Sequence, residues 1–300
     1  MAWKGVHLSC AARLGLGDGQ LIVTQEDGKV RIPLEDIAYL VLDTTQATMT
    51  TALVSACMAA GVVIVFTDAH HTPAGLTLPF HSHHRQAGVA ALQQACAAPR
   101  NKRLWQSIVV AKIANQAAAL TSLGRDGASA LTVLARLVGS GDSDNVEARA
   151  ARDYWGRLFP AFIREGSDDY RNKCLNYGYA VVRAGIARAL VAYGLLPALG
   201  LHHASVSNAF NLADDLVEPF RPFVDVAVWR LASEGTRHDG DPSKPDRQIL
   251  AGLPMTKAKV GRDTVTLLVA MVHAAESLVQ FLETTTPVAL RLPRLMESTL

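Results

Sequence analysis

The stretch that follows residue 200 holds the densest set of side chains suited to binding a metal ion. It contains two adjacent histidines and three acids: His202, His203, Asp214, Asp215 and Glu218. On a helix, either aspartate shares a face with Glu218, because residues three or four apart are neighbours. Two carboxylates beside an imidazole form a ligand set that suits Mg²⁺ or Mn²⁺. A polar helix start, where the dipole favours acids, is the alternative and stays open on spacing alone.

Glu147 is a second candidate, and the residues after it are rich in arginine and aromatic side chains. Arg149, Arg152 and Trp155 belong to this run, and such residues either pack in a core or contact a nucleic-acid backbone. An ordinary exposed helix face explains the same pattern. The spacing does not choose between these interpretations.

Histidines are concentrated where the pattern of the chain changes. Five of the ten fall in one short stretch: His70, His71, His81, His83 and His84. Histidine-rich tracts can bind zinc, but neither a cysteine nor an H-E-x-x-H pattern accompanies these residues. We interpret the stretch as a polar linker that contacts nucleic acid or the neighbouring domain.

The formal net charge of +2 conceals a basic segment. No acid occurs from residue 69 to residue 125, whereas lysines and arginines recur there. Such a segment is typical of contacts to phosphates. A solvated helix face that is balanced by acids elsewhere in the fold is the alternative. The candidate DNA-binding residues are Arg85, Lys102, Arg103 and Lys112.

The composition is that of a folded chain with a sizeable core. Hydrophobic residues make up 49% and charged residues 19% of the 300 residues, which excludes a disordered or collagen-like protein. The four cysteines have no paired spacing, so we expect reduced thiols rather than disulfides or a thiolate zinc site. The sequence shows no signal peptide and no apolar run long enough for a membrane span. We therefore expect a cytoplasmic protein without a membrane partner.

Two regions of different pattern must position the candidate side chains. Residues 1–80 alternate short β-prone runs with glycines, and Asp27-Gly28 is a hairpin signal. The elements predicted there are strands at 20–24, 29–32, 37–42 and 62–66 and a helix at 50–60.

Beyond residue 86 the spacing of alanines and leucines is helical. The elements predicted there are helices at 88–123, 145–158, 174–195, 208–232 and 264–282 and an irregular tail at 284–300. Asp144 or Asn145 is expected to cap the second of these helices. Pro219 and Pro222 are expected to bend or split the fourth.

The predicted fold class is therefore α+β with two domains. A small N-terminal β-rich domain occupies 1–80, a linker occupies 81–95, and a larger all-helical C-terminal domain occupies 96–300 and includes the tail. The candidate catalytic residues all lie in the helical domain.

Four strings of the sequence carry a family resemblance. They are LWQ at 104–106 with KIANQ at 112–116, EARAARDYW at 147–155, LNYGYA at 175–180, and GLHH at 200–203 with NLADDLVEPFRP at 211–222. In this order, after a strand-rich N-terminal module, they resemble the CRISPR-associated integrase/endonuclease of the spacer-acquisition machinery. The resemblance covers essentially the whole chain. A glutamate at position 218, within the EPFRP string, resembles the branch of this family that is found in type II systems.

The resemblance implies a metal site formed by Glu147, His203 and Glu218 as both ligands and catalytic residues, with Asp215 as the supporting acid. His203, rather than His202, is in the register of the family. Mg²⁺ or Mn²⁺ would activate a phosphodiester for attack by the 3′-hydroxyl of an incoming DNA fragment at the border of the repeat array. Such a transesterification needs no nucleotide, which agrees with the absence of a P-loop from the sequence.

The resemblance also implies partners. They are double-stranded DNA, both as fragment and as repeat array, a second copy of the chain that pairs through the β-rich domain, and a small adaptation protein that bridges two dimers. Two other functions remain as alternatives. One is a generic metal-dependent phosphoesterase that acts on small substrates, and the other is a DNA-organising subunit without catalytic activity.

Overall fold

The computed structural model describes residues 3–164, 168–286 and 288–296. Strands fill the first part of the chain: β1 (Lys4–Leu8), β2 (Ala12–Gly17), β3 (Gln20–Gln25), β4 (Gly28–Pro33), β5 (Ile37–Leu42), β6 (Ala47–Met49), β7 (Val63–Thr67) and β8 (Pro73–Leu76). Helix α1 (Thr51–Ala59) lies between β6 and β7. The four strands and the helix predicted for this region are thus confirmed to within one residue at each end.

Two four-stranded sheets form, with strand orders β4-β3-β2-β6 and β1-β5-β7-β8. Gly28, at a φ of 147°, makes the turn between β3 and β4 with a conformation that glycine adopts readily, so the predicted hairpin is confirmed. Every residue of β5 is buried, as expected for a strand between the two parallel neighbours β1 and β7. The strand therefore delivers the next residue, Asp43, into the interior, where its side chain is fully buried.

Helices dominate the remainder of the described chain. They are α2 (Gln86–Ala95), α3 (Ala98–Ser122), α4 (Ala128–Leu137), α5 (Val146–Leu158), α6 (Tyr170–Ala192), α7 (Asn211–Val217), α8 (Arg221–Leu231), α9 (Lys244–Ala251) and α10 (Leu267–Glu283). A β-rich N-terminal region followed by a mostly helical one confirms the predicted α+β class. Helix α6 is buried along most of its length, and a Cβ added at Gly178 would meet Val224 of α8 at 2.5 Å.

Four helix predictions need correction, among them the one from residue 208, which begins at Asn211. The helix predicted from residue 264 begins at Leu267, because residues 263–266 form a hairpin, β9 (Lys257–Val260) with β10 (Asp263–Thr266). The helix predicted at 88–123 is two helices, and Pro99 lies in the first turn of the second one, α3. The helix predicted from residue 174 begins earlier, at Tyr170. The split predicted at the prolines of the fourth helix is confirmed, since a 3₁₀ turn at 218–220 separates α7 from α8.

The described part of the C-terminal tail packs against the helices. It is irregular apart from one β-bridge of Arg294 to Lys259. The buried side chain of Asn115, in α3, donates its amide to the carbonyl oxygens of Pro219 (2.7 Å) and Pro293 (2.9 Å). Its Oδ1 accepts from the backbone of Leu295 at 3.0 Å. The tail is therefore joined to α3 and to the 218–220 turn, while residue 287 and residues 297–300 of the predicted tail lie outside the described residues.

Polar contacts also join the sheets to the helical region. The hydroxyl of Tyr39, in β5, donates to the carbonyl of Ala251 in α9 at 2.8 Å. Nε of Arg188, in α6, donates to the carbonyl of Gly61 at 2.6 Å. Within the ranges that the structure describes, no helix is both long enough and apolar enough to cross a membrane.

Candidate active site

Glu147 is positioned by the first turn of α5. The carboxylate of Asp142 accepts from the backbone N–H groups of Val146 (2.9 Å) and Glu147 (3.0 Å), which satisfies two donors that a helix start leaves unpaired. Asn145 stands at the N-cap position in a left-handed conformation without a capping side-chain bond. The prediction that the side chain of Asp144 or Asn145 caps this helix is therefore wrong. A short 3₁₀ turn brings the carboxylate of Asp142 to the helix end instead.

Glu218 occupies the break between α7 and α8. Pro219 and Pro222 stop the helix from continuing regularly, and the bond from Asn115 to the carbonyl of Pro219 fixes the turn. The side chain of Glu218 is only 7% exposed. The break thus places a buried carboxylate next to α3 and α5.

Lys112, in α3, joins the two glutamates. Its Nζ lies 2.6 Å from Oε1 of Glu147 and 2.5 Å from Oε2 of Glu218. Nε of Arg221 lies 2.9 Å from the other oxygen of Glu218. Burial acts to raise the pKa of Glu218, but the charges of Lys112 and Arg221 outweigh it and hold that pKa below its usual value. Burial likewise acts to lower the pKa of Lys112, and the charges of the two glutamates raise it instead.

His203 is held by Asp215. The fully buried carboxylate of Asp215 accepts from the backbone N–H groups of three consecutive residues, Leu201 (2.6 Å), His202 (3.1 Å) and His203 (3.1 Å). Nδ1 of His203 also lies 2.7 Å from Oδ1 of Asp215. Because a carboxylate only accepts, Nδ1 carries a proton and Nε2 remains as the free ring nitrogen. The hydrogen bond to Asp215 raises the pKa of His203 above its ordinary value.

The two adjacent histidines have different surroundings. The ring of His202 stacks on Trp105 of α3, with centroids 4.2 Å apart and planes within 2° of parallel. The ring of His203 meets the edge of the same tryptophan at 5.9 Å. Trp105 therefore packs against both rings, while His203 is the one of the pair that an acid orients.

The two aspartates of α7 also separate. Asp214, weighed on spacing as a partner of Glu218, faces Arg183 of α6, with Nε 2.5 Å from Oδ1, and accepts from Asn208 at 2.7 Å. Asp215 faces residues 201–203, which include the two adjacent histidines. The acid that accompanies His203 is therefore Asp215, and Asp214 belongs to a separate ion pair.

The arrangement of Glu147, His203 and Glu218 can be compared with what a metal ion requires. Among the described residues, no three histidine, cysteine or acidic side chains are close enough together to enclose a metal ion as they stand. The donor types nevertheless fit Mg²⁺ or Mn²⁺, since Glu147 and Glu218 supply oxygen and His203 supplies one imidazole nitrogen. The ammonium of Lys112 shows that a cation between the two carboxylates is accommodated.

A cavity of about 200 Å³ opens beside the Lys112 ion pairs, and Arg164, Arg221 and Tyr179 help to line it. Asp225 also lines it and accepts hydrogen bonds from the hydroxyls of Tyr154 (2.9 Å) and Tyr179. Burial raises the pKa of Asp225 to about 6, although the two tyrosines act to lower it. Sequence reasoning missed this acid. The available signal was a single carboxylate within the apolar run of α8.

The four predicted DNA-binding residues do not share one surface. Lys102 and Arg103 are exposed on α3, and the ion pairs found among the described residues do not include either one. Arg85 is exposed but pairs with Glu283 at 2.7 Å. Lys112 lies inside the glutamate pair rather than on the outer face with Lys102 and Arg103.

The histidine-rich stretch contributes to a second buried acid. Nδ1 of His71 lies 2.8 Å from Oδ1 of Asp43, while Nε2 of His7 (3.1 Å) and Nε of Arg247 (2.7 Å) approach Oδ2. We call these four residues the Asp43 cluster. Arg247 comes from α9, so this part of the histidine stretch contacts the helical region, as one of the two predicted roles requires. His7, Asp43 and Arg247 are far apart in the sequence, and no motif indicates them as a set.

Comparison with protein families gives one match over most of the chain. The family described as CRISPR associated protein Cas1 matches residues 8–252. A CRISPR-associated endonuclease Cas1 from Neisseria meningitidis is 40% identical over 236 residues, which cover 78% of each chain. A Cas1 from Pyrobaculum aerophilum is 31% identical over 259 residues, covering 80% of this chain and 85% of the relative.

Solved structures share the fold at low sequence identity. A casposase bound to an integration product has a TM-score of 0.79 at 19% identity, covering 98% of this chain and 95% of its own. A CAS1 protein from Thermotoga maritima has a TM-score of 0.73 at 16% identity, covering 95% and 99%. The Cas1-containing chain of a Cas6-RT-Cas1–Cas2 complex has a TM-score of 0.71 at 20% identity, covering 93% of this chain and 35% of that one.

Proposed function

Because the chain belongs to the Cas1 family of CRISPR-associated proteins, we propose that it is a DNA endonuclease and integrase that inserts short DNA fragments into a CRISPR repeat array. The observation that supports this function is the pair of glutamates, Glu147 and Glu218, held on one cation beside an aspartate-oriented His203. The assignment as a nuclease is supported by relatives that are named CRISPR-associated endonucleases. The EPFRP string and the Neisseria relative favour the type II branch.

Glu147, His203 and Glu218 are proposed as the ligands of Mg²⁺ or Mn²⁺. When bound, such an ion polarises a phosphodiester and stabilises the charge that develops on it. Asp215 fixes the ring of His203 so that Nε2 is free to act as the donor. The charge of Arg221, 2.9 Å from the second oxygen of Glu218, helps to keep that carboxylate ionised.

The reaction that we propose is a transesterification. The 3′-hydroxyl of the fragment attacks a phosphodiester at the border of the repeat, one phosphoester bond forms as another breaks, and the displaced 3′-oxygen leaves. No bond energy has to be supplied, so the chain needs no nucleotide. With water in place of the hydroxyl, the same residues cleave DNA.

DNA contact is proposed on the outer face of α3, where Lys102 and Arg103 are exposed. Binding through phosphates releases counterions, and each lost contact flattens the plot of log K against log salt by about 0.9. We expect the joint replacement of Lys102 and Arg103 by alanine to weaken binding of duplex DNA and to reduce this slope. An unchanged slope in a filter-binding titration would exclude these two residues from phosphate contact.

The partners are proposed from the membership of the chain in the Cas1 family. The β-rich region at 1–80 is the proposed dimerisation domain, 81–95 the linker, and 96–300 the catalytic domain. A small adaptation protein is the proposed bridge between two dimers, in keeping with a fold neighbour whose solved assembly is named as a Cas1–Cas2 complex. Acting on the array, the complex works in the cytoplasm.

An integration assay tests the proposal. Purified protein, with and without the small adaptation protein of its own system, is mixed with short duplex DNA and a supercoiled plasmid that carries the repeat. Reactions contain Mn²⁺, Mg²⁺ or EDTA, and the wild type is run beside Glu218→Ala. We expect joining that depends on metal and vanishes in the variant. Binding of DNA without joining in either metal would favour the non-catalytic DNA-organising subunit, and cleavage of small phosphoesters alone would favour the generic phosphoesterase.

A further inference from the structure

The position between Glu147 and Glu218 already contains a positive charge. Nζ of Lys112 lies within 2.6 Å of one oxygen from each glutamate, so a single ammonium bridges the two carboxylates. The side chain of Lys112 is 13% exposed, and the ammonium therefore exchanges little of this contact for water. Neither its place in the basic segment nor its predicted role as a surface phosphate contact accounts for this position.

The bridge compensates charge within the site. Two carboxylates close together repel each other, and both would repel a DNA phosphate. Lys112 offsets one of these negative charges, and Arg221, on the far oxygen of Glu218, offsets the other. In the absence of a metal ion the site is thus close to neutral, without any ligand from outside the chain.

We propose that Lys112 occupies the position of the divalent cation between Glu147 and Glu218, and that metal binding displaces its ammonium from these carboxylates. This inference rests on the proposed function, because it takes the two glutamates as metal ligands. A divalent ion of this class approaches its carboxylate oxygens to about 2.1 Å. An ammonium at 2.5–2.6 Å from the same oxygens would then face a dication at contact distance, which is strongly repulsive.

The chemistry of lysine suits such an exchange. Its charge is a point at the end of a flexible four-carbon stem, so the ammonium can leave while α3 keeps its place in the core. Displacement makes Lys112 a competitor of the metal, which lowers the apparent affinity of the site. It also releases a positive charge next to the metal, where the phosphate of bound DNA must lie.

The test is a titration with Mn²⁺, read by the electron paramagnetic resonance signal of the free aqueous ion and carried out on the full chain without DNA. Removing the competing charge in Lys112→Met is expected to tighten Mn²⁺ binding by about tenfold or more. Lys112→Arg retains a cation and is expected to bind Mn²⁺ within about threefold of the wild type. Lys257→Met removes one lysine charge from an exposed position of β9, outside the proposed ligands and DNA contacts, and is the matched control, with unchanged Mn²⁺ affinity.

Several outcomes overturn the inference. Equal or weaker Mn²⁺ binding by Lys112→Met would show that the lysine does not compete with the metal. Tighter binding that survives Glu218→Gln in the Lys112→Met background would place the ion elsewhere, and the proposed ligand set would fail with it. If instead the wild type joins DNA in Mn²⁺ while Lys112→Met gains no affinity, this inference alone fails and the proposed function stands.

A second measurement does not depend on the folding of a variant. Crystal structures of the wild type grown with and without Mn²⁺ are expected to show Nζ of Lys112 between the glutamates only in the metal-free form. A metal ion bound by Glu147 and Glu218 with the ammonium still bridging them would overturn the displacement.

Discussion

The active site and the Asp43 cluster both hold carboxylates, fully or partly buried, against positive or imidazole side chains, but they distribute the partners differently. Asp43 is one acid with three partners, and His7, His71 and Arg247 use both of its oxygens. At the active site, two acids, Glu147 and Glu218, share the single ammonium of Lys112. With Arg221 on the other oxygen of Glu218, the active site has one cation for each acid, whereas Asp43 has three partners for one acid.

This difference separates an acid that stabilises the fold from acids that are available to bind a metal ion. A buried carboxylate whose oxygens are filled by the protein's own side chains has little capacity left for a further cation. Glu147 and Glu218 share Lys112, a flexible side chain that can leave, so they keep this capacity even though Arg221 lies on the far oxygen of Glu218. We infer that the Asp43 cluster fastens the sheets to α9, whereas the glutamate pair is available for chemistry.

The largest expected effect is on the rate of DNA joining in Glu218→Gln. Losing the charge of one metal-binding oxygen donor should slow joining by about a thousandfold or more, because metal stabilisation of the transition state is worth several kcal/mol. The measurement is a single-turnover joining assay with Mn²⁺, together with a urea unfolding curve. A rate close to that of the wild type would place Glu218 with Asp43 as a structural acid.

Asp43→Asn should show the opposite pattern. Breaking a buried ion pair by removing one charge costs about 3 kcal/mol of unfolding free energy, here by leaving Arg247 without its carboxylate. The joining rate, measured at a temperature where the variant is folded, should stay close to that of the wild type. A loss of joining comparable to that in Glu218→Gln would end the distinction between the two places.

His203 and His71 make a matched pair for the same comparison. Each presents Nδ1 to a buried aspartate, at 2.7 Å from Asp215 and 2.8 Å from Asp43, and their side chains are 44% and 41% exposed. His203→Ala should slow joining by about a hundredfold, since a ligand of the proposed metal is removed. His71→Ala should lower the unfolding free energy and leave joining intact. Equal effects of the two replacements on joining would contradict the assignment of His203.

The pH dependence of stability should also differ. His7, Arg247 and His71 outweigh burial and hold the pKa of Asp43 below its ordinary value. Its contribution is therefore complete above the unfolded pKa of about 3.9 and is lost as pH falls through the lower folded pKa. Urea unfolding between pH 6 and pH 3 should show a steeper loss of stability for the wild type than for Asp43→Asn. Parallel curves would mean that Asp43 is not held ionised by its partners.

The smallest expected effect is that of His202→Ala. The stacking of His202 on Trp105 contributes about 1 kcal/mol, so the loop should loosen slightly and joining should fall by a few-fold only. Joining rates for His202→Ala and His203→Ala, measured side by side, test the register. Equal losses would contradict the assignment of His203, rather than His202, as the ligand.

The sequence predicts the local parts of this fold well. The strands β3 and β4 follow from short β-prone runs on either side of the Asp27-Gly28 turn, and β5 follows from an apolar run. The break near Glu218 follows from its prolines. Residue types and spacing indicated His203 and Glu218 as candidate ligands, and the family strings supplied the full set with Glu147. The β9–β10 hairpin was missed because no element was predicted at β9 and residues 264–266 of β10 were assigned to the start of the following helix.

Contacts between distant segments were the part that the sequence could not supply. Arg247 reaches Asp43 across 204 positions, and Lys112 reaches Glu147 across 35. Lys112 was interpreted as a surface residue because its neighbours along the chain are basic. Only the packing of α3 against α5 and the 218–220 turn shows that its side chain points toward acids.

Asn115 has a consequence for how a change in the C-terminal segment would be felt at the acidic site. Its buried side chain joins the turn after Glu218 to Pro293 and Leu295, so removing that segment would leave a buried amide without two of its three partners, which is costly. The turn that places Glu218 would lose part of its support, although the segment itself contributes none of the proposed ligands.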